Sequence, residues 1–80
     1  MRAQVIVRLK SGVLDPQGEA VMASLGSIGF EGVNKVRIAK LIEIDLDADN
    51  SDAAKERVSE MADQLLANPV IESFEVEVLP

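Results

Sequence analysis

Apolar and polar residues alternate along the first ten positions of the chain. The odd positions are apolar, and they include Ala3, Val5, Val7 and Leu9. A period of two predicts a strand that buries one face and exposes the other. Ser11 and Gly12 follow, so this strand ends near Lys10.

A helical pattern follows the segment VLDPQG, which covers Val13 to Gly18. Asp15 has a side chain that can accept N–H groups at a helix start, and Pro16 suits the first helical position because it lacks an N–H. Gly29 is placed to form a left-handed C-terminal cap. Apolar residues recur between these two ends at helical spacing, at Val21, Leu25 and Ile28.

The segment from Val36 to Leu46 has apolar residues at its even positions, with Lys40 as the exception. A two-residue hairpin at Ala39–Lys40 would turn Glu43 and Asp45 toward the core, which this pattern excludes. A three-residue turn keeps the parity but offers no Gly, Asn or Asp. One long strand, bent near Ala39, fits better, and the three-residue hairpin remains the alternative.

The length of this strand predicts self-association. Eleven residues of strand span about 36 Å, whereas a compact domain of this size has a radius of gyration of about 12 Å. An overhanging strand exposes main-chain groups that another chain can pair with. We therefore expect a homodimer or homotetramer with this ribbon at the interface.

A second helix is predicted from Asp52 to Ala67, with Ser51 or Asn50 as its cap and Asn68–Pro69 as its stop. A last strand, Phe74–Val78, has an acidic outer face. The fold class is therefore α+β, in the order β-α-β-(β)-α-β, with a small sheet and both helices on one face. A ferredoxin-like order is the alternative.

Composition narrows the function. The chain has 80 residues, which predicts a single domain, residues 1–80. It has no Cys and no His, which excludes disulfides and thiol chemistry, leaves little scope for zinc, and removes the commonest general base. The aromatic fraction is 2%, so the core must be aliphatic and bases have little to stack on. With no signal sequence and no membrane span, we expect a cytoplasmic protein that binds neither membrane nor nucleic acid.

Charge is spread unevenly along the chain. Residues 1–40 carry six basic and three acidic side chains, a balance of +3, and residues 41–80 carry two basic and eleven acidic ones, a balance of −9. Such asymmetry is typical of two differently charged solvated faces, and it also suits a basic patch that binds an acidic partner.

Two features are candidates for a partner interface. A basic cluster could hold a phosphate or an acidic surface, although solvated side chains are the more frequent outcome. Gly18 lies in the first turn of a helix, where glycine costs up to about 1 kcal/mol relative to alanine. We expect another backbone to approach it closely, with a partner subunit as the candidate. The predicted interface residues are Arg8, Lys10, Asp15, Gly18, Arg37 and Lys40.

Four acidic residues have the spacing of a calcium-binding loop, and they are Asp45, Asp47, Asp49 and Glu56. Asn50 replaces the glycine that such a loop needs at its turn, and the entering segment alternates like a strand. We therefore predict no metal site. The chain also has no phosphate-binding loop and no activated nucleophile.

Three segments together resemble the PurS family, the small subunits of phosphoribosylformylglycinamidine synthase. They are VLDPQG at 13–18, SLGSIGFEGVNKVRIAK at 24–40 and LLANPVIESFEVEV at 65–78. The resemblance runs almost from end to end. The chain departs from it at Ala39, where members usually have Gly, which bears on how sharply the long strand bends.

The resemblance implies a non-catalytic subunit of an ATP-dependent carbon–nitrogen ligase in purine biosynthesis. In that complex a glutaminase subunit releases ammonia, and a large synthetase subunit uses ATP and Mg²⁺ to add it to formylglycinamide ribonucleotide. The small subunit would dimerise, bridge the other two and assist ammonia transfer, with no cofactor of its own. No catalytic residue of the family maps onto this chain.

A different class of function also suits the order of elements. Small regulatory domains of ACT or ferredoxin-like type bind ligands between subunits, and fold alone does not separate them from an adaptor. Stable binding of an amino acid by the isolated chain would favour this alternative.

Overall fold

The computed structural model describes residues 1–80. Its elements in chain order are β1 (Arg2–Leu9), α1 (Pro16–Ser27), β2 (Ala39–Asp45), α2 (Ser51–Met61) with a π-helical turn (Ala62–Leu66), and β3 (Glu72–Leu79). The α+β class and the order of elements are confirmed, and the optional additional strand is not formed. Neither helix has the length and apolar character needed to cross a lipid bilayer.

The three strands form one antiparallel sheet in the order β2-β1-β3. Val5 of the central strand lies opposite Ile42 on one side and Val76 on the other. Residues directly opposite each other on neighbouring strands have their side chains on the same face of the sheet, so these three side chains lie together. The apolar positions that the sequence pattern assigns to the buried face, odd in β1 and even in β2 and β3, therefore face the core.

The core lies between the sheet and α2. Its side chains are small and aliphatic, as the shortage of aromatic residues predicts, and they are Ala3, Val5, Val7, Leu46, Ala54, Val58, Ala62 and Ala67. Asn50 caps α2, because its Oδ1 accepts the Ala53 N–H at 2.8 Å. The π-helical turn closes with a hydrogen bond from the Ala67 N–H to the Ala62 carbonyl at 2.9 Å.

The expectation that both helices cover one face of the sheet is wrong for α1. Gly18 is its only buried residue, and Val21 and Ile28 of its apolar stripe are 39% and 72% exposed. Two strand spacings add up to about 10 Å, and one helix is about 10–12 Å across. A single helix is thus wide enough for a sheet of three strands. The protomer is elongated, with extents of 50 × 27 × 14 Å and a radius of gyration of 15.9 Å.

The strand after α1 is shorter than predicted. It starts at Ala39 and spans seven residues, and Val36–Ile38 lies outside it. The Ile38 N–H is bonded to the Asp15 carboxylate and so is not available to a ladder. The hairpin alternative is also wrong, because β2 is a single strand that pairs with β1 along its whole length.

The C-terminal end of α1 follows the sequence prediction. Gly29 has φ +102°, in the left-handed region that glycine enters at little cost. The Phe30 N–H donates to the Leu25 carbonyl at 3.0 Å, and the Gly29 N–H donates to the Gly26 carbonyl at 3.2 Å. These two bonds define a Schellman cap.

Candidate functional site

The predicted interface residues lie together at one end of the sheet, where β1 ends and β2 begins. Arg8 is opposite Ala39 in the sheet, next to Lys40. The Arg8 guanidinium lies 3.7 Å from the Glu75 carboxylate across the exposed outer face of the sheet. The Lys10 Nζ donates to the Pro69 carbonyl at 2.7 Å. The basic residues that the sequence analysis assigned to one cluster therefore do lie in one region of the surface.

Asp15 is the N-cap of α1, as predicted, and it has a second role. Its Oδ1 accepts the Gly18 N–H at 2.8 Å, which is the capping bond. Its Oδ2 accepts the Ile38 N–H at 2.8 Å, from the segment that enters β2. One carboxylate thus joins two parts of the chain that are 23 residues apart. The side chain is almost fully enclosed, since the residue is 5% exposed.

The surroundings of Asp15 favour its charged form. The hydrogen bonds from the main-chain N–H groups of Gly18 and then Ile38 lower the pKa of this carboxyl below its ordinary value of 3.8. Burial opposes this shift, and the positive charge of Arg37 adds to it. Asp15 is therefore an anion at neutral pH with its oxygens already engaged, which suits a structural group and not a proton-transferring one.

Arg37 binds the main chain at the same end of the sheet. Its Nη1 donates to the Val13 carbonyl at 3.0 Å. Its Nη2 lies 3.2 Å from the Leu9 carbonyl and 3.1 Å from the Lys10 carbonyl. These carbonyls belong to the last residue of β1 and to the turn that leads to α1, so the guanidinium fixes that turn against the entry to β2.

Gly18 has the close backbone approach that its position in the helix predicts. A Cβ built on it would lie 2.1 Å from the Val36 carbonyl oxygen and 2.9 Å from the Val36 carbonyl carbon. The approaching backbone belongs to the same chain, and this contact accounts for the glycine without a partner subunit. We call the set of Asp15, Gly18, Val36, Arg37 and Ile38 the α1–β2 junction.

Lys40 borders a shallow cleft of about 220 Å³ beside this junction. Its lining combines apolar residues such as Val7, Leu9 and Ile38 with the polar or charged residues Asp15, Gln17, Lys40 and Glu72. Both oxygens of Asp15 are engaged, and Glu72 Oε1 accepts the Asn68 N–H at 2.7 Å. The Lys40 ammonium and the Gln17 amide therefore remain as polar contacts for a visiting side chain. The cleft suits a protein side chain better than a catalytic reaction.

The acids with calcium-loop spacing are separated by the fold. Asp45 ends β2 and Glu56 lies within α2. No three acidic side chains converge in a way that could hold a metal ion. Arg57 instead uses this loop as a hydrogen-bond acceptor, since its Nη1 donates to the Asp47 carbonyl at 2.8 Å.

Sequence reasoning missed the second acceptor role of Asp15. A cap is a local feature and can be recognised from three or four neighbouring residues, whereas Ile38 is distant in sequence. The signal that could have indicated it was the combination of Asp15 with a costly glycine at Gly18, because both need a nearby segment from elsewhere in the chain.

Comparison with known proteins places the chain in a family. The family model described as PurS, phosphoribosylformylglycinamidine (FGAM) synthase, matches residues 2–80. A PurS subunit of this synthase from Methanocaldococcus jannaschii is 43% identical over 96% of this chain and 93% of its own length. The PurS subunit from Bacillus subtilis is 43% identical over 96% of this chain and 90% of its own length.

Solved structures agree with the sequence comparisons. The crystal structure of M. jannaschii PurS superposes with a TM-score of 0.87 at 42% identity, covering 95% of this chain and 92% of that one. A PurLQS structure from Thermotoga maritima contains a chain with a TM-score of 0.88 at 35% identity, covering 98% of this chain and 95% of that one. From sequence and fold together, this chain belongs to the PurS family of FGAM synthase subunits.

Proposed function

We propose that this chain is the single-domain, non-catalytic adaptor subunit of a cytoplasmic FGAM synthase, residues 1–80. It bridges a glutaminase subunit and a large synthetase subunit and assists the transfer of ammonia between them. The observation that supports this most directly is the near full-length match to PurS, including a chain of the PurLQS structure from T. maritima. A homodimer or homotetramer of this chain forms part of the same proposal.

The complex would convert formylglycinamide ribonucleotide, glutamine, ATP and water into formylglycinamidine ribonucleotide, glutamate, ADP and phosphate. ATP and Mg²⁺ belong to the synthetase subunit in this proposal. Asp15 is the most enclosed carboxylate of the chain, and both of its oxygens accept main-chain N–H groups. Neither oxygen is free to take up a proton from a substrate, which agrees with a non-catalytic adaptor. A group held in this way positions the backbone.

The six interface residues divide into two kinds in this proposal. Arg8, Lys10 and Lys40 have exposed side chains and contact an acidic surface of a partner subunit. Asp15, Gly18 and Arg37 act through the α1–β2 junction, because they fix the backbone that carries these cations. The cleft beside Lys40 receives a partner side chain.

Reconstitution tests the adaptor role. The glutaminase and synthetase subunits are mixed with and without this chain, and FGAM formation is measured with glutamine and separately with ammonium chloride. We expect omission of the chain to abolish the glutamine-dependent reaction and to spare the ammonium-dependent one. Equal glutamine-dependent rates with and without the chain would overturn the proposal, and so would amino-acid binding by the isolated chain without any effect on assembly.

A charge-reversal pair tests the interface. Lys40→Glu should reduce the retention of the partner subunits in a pull-down, because it replaces a cation at the cleft with an anion. Lys55→Glu makes the same change on an exposed position of α2 and should leave retention unchanged. Equal effects of the two variants would indicate that net charge, and not this surface, determines binding.

A further inference from the structure

The segment LLANPVI at 65–71 carries the two most exposed large apolar side chains of the chain. Leu65 is 83% exposed and Val70 is 77% exposed, and Ile71, at the entry to β3, is 40% exposed. A single exposed apolar residue is ordinary on a protein surface. Two side chains with this exposure in one short segment between α2 and β3 need an explanation that the core does not provide.

The turn that follows α2 is densely hydrogen-bonded. The Asn68 side chain accepts the Val70 N–H at 3.0 Å. The Asn68 carbonyl accepts the N–H of Ile71 at 3.2 Å and the N–H of Glu72 at 2.7 Å. The Asn68 N–H donates in turn to the Glu72 carboxylate at 2.7 Å. We call residues 68–72 the NPVIE turn.

Lys10 holds the NPVIE turn against the end of β1. Its main-chain N–H donates to the Ile71 carbonyl at 2.8 Å, and its Nζ donates to the Pro69 carbonyl at 2.7 Å. Between residues 68 and 71, the Val70 carbonyl is the one main-chain polar group that has no partner within the chain. The tip of the turn therefore presents an isopropyl group and one free acceptor on a fixed backbone.

This geometry lowers the cost of binding a partner. Ordering of loops and side chains is one of the main costs of association, and the NPVIE turn is already ordered by its own bonds and by Lys10. The Val70 side chain is β-branched and stiff at χ1, so little rotamer freedom is lost when it is enclosed. The side chain also protrudes, whereas small molecules bind in concave sites. The surface suits a macromolecule with a matching hollow.

The surroundings of the turn specify the chemistry of that hollow. Glu72 lines the cleft beside Lys40 and also a second cleft of about 290 Å³, to which Pro69 and Phe74 contribute. The NPVIE turn is thus continuous with the surface that carries Lys40. The Lys10 ammonium has three N–H donors and gives one to Pro69, so two remain for a carboxylate beside the turn.

We propose that the NPVIE turn is a docking anchor for a partner subunit of the synthase. The Val70 side chain enters an apolar socket on that subunit, and a carboxylate at the rim of the socket bonds to Lys10. An N–H of the partner pairs with the free Val70 carbonyl. Asn68 is a positioning residue, since it fixes the backbone that presents Val70. The inference rests on the proposed adaptor role and adds an apolar contact to the basic surface.

Substitutions of Val70 test the apolar contact. Val70→Thr keeps the shape of the side chain and places a hydroxyl where the socket cannot bond to it. We expect the dissociation constant for the purified partner subunits to rise about tenfold with Val70→Thr. Val70→Ala removes two methyl groups and should also raise it about tenfold. Val33→Thr makes the matched change at an exposed valine outside the turn and should leave it unchanged. Isothermal titration measures these constants.

Substitutions of Asn68 test the positioning role. Asn68→Ala removes the acceptor of the Val70 N–H, and we expect the dissociation constant to rise about threefold because the turn must then be ordered on binding. Asn68→Asp keeps an acceptor oxygen and should bind like the wild type. The effect of Asn68→Ala should shrink in a Val70→Ala background, because it acts through the Val70 side chain. Equal effects in both backgrounds would overturn the positioning role.

The outcomes separate this inference from the proposed function. Unchanged partner binding by Val70→Asp, in a chain that circular dichroism shows to be folded, would overturn the anchor and leave the adaptor role standing. Sedimentation equilibrium measures self-association of the same variant. If Val70→Asp weakens self-association and not partner binding, the turn joins copies of this chain and the proposal is wrong. A wild-type chain that binds neither subunit would overturn the adaptor role and the anchor together.

Discussion

Replacing Gly18 with alanine tests whether the α1–β2 junction is as tightly packed as the structure indicates. The added Cβ would lie 2.1 Å from the Val36 carbonyl oxygen, whereas a carbon and a carbonyl oxygen normally approach to about 3.3 Å. The backbone at Val36 must therefore retreat by about 1.2 Å. The obstacle is main chain and cannot rotate away, and the retreat also stretches the 2.8 Å bond from the Ile38 N–H to Asp15.

Two opposing contributions set the size of the effect. Alanine in place of glycine favours a helix by up to about 1 kcal/mol. Overpacking costs about 1–3 kcal/mol, and a backbone obstacle belongs at the upper end of that range. We expect Gly18→Ala to lower the free energy of unfolding by about 1–2 kcal/mol, which is a drop in Tm of roughly 4–16 °C for a domain of this size.

Urea denaturation followed by far-ultraviolet circular dichroism measures this change, because the chain has no Trp or Tyr for fluorescence. The protein concentration is held fixed, since association makes the midpoint depend on it. Gly26→Ala is the matched control: it lies in the same helix, and its added Cβ would meet nothing within 4 Å. It should stabilise the protein slightly, by up to about 1 kcal/mol. A Gly18→Ala variant as stable as Gly26→Ala would refute the reasoning.

Three further predictions concern the caps and the core. Asn50→Ala should cost about 1 kcal/mol in urea denaturation because it removes the cap of α2, and Asn50→Asp should cost little. Val58→Ala empties part of a fully buried site and should cost about 2–3 kcal/mol; a smaller loss would mean that the core collapses around it. Asp15 has a lowered pKa in the folded state, so its contribution is complete above the ordinary pKa of 3.8 and is lost as the pH falls through the folded value. The stability difference between wild type and Asp15→Asn should therefore be constant above about pH 5 and shrink in stronger acid; a difference that is the same at about pH 3 as at neutral pH would contradict this.

Features that depend on a few neighbouring residues were readable from the sequence. The cap at Asp15, the Schellman turn at Gly29 and the choice of Asn50 or Ser51 at the start of α2 all follow from local backbone chemistry. The parity of each strand also follows, because a one-residue slip would expose the apolar face of the whole strand. These features established the α+β order and the position of the candidate interface.

Features that depend on distant contacts were not readable. The segment Val36–Ile38 has the alternation of a strand, yet its N–H at Ile38 bonds to Asp15 and not to a neighbouring strand. The apolar stripe of α1 is the same kind of signal as that of α2, and only the width of the sheet decides which helix covers it. Gly18 was correctly expected to meet another backbone, but the sequence could not indicate that this backbone is Val36 of the same chain.

The elongation of the protomer has a consequence for how its mass is determined. A radius of gyration of 15.9 Å is that of a compact protein of about 180 residues, more than twice the length of this chain. Gel filtration separates particles by hydrodynamic radius, which also rises with elongation, so a column calibrated with globular standards would overestimate the mass of a lone protomer. Stoichiometry for this subunit has to come from methods that weigh the particle, and elution volumes alone will overcount its copies.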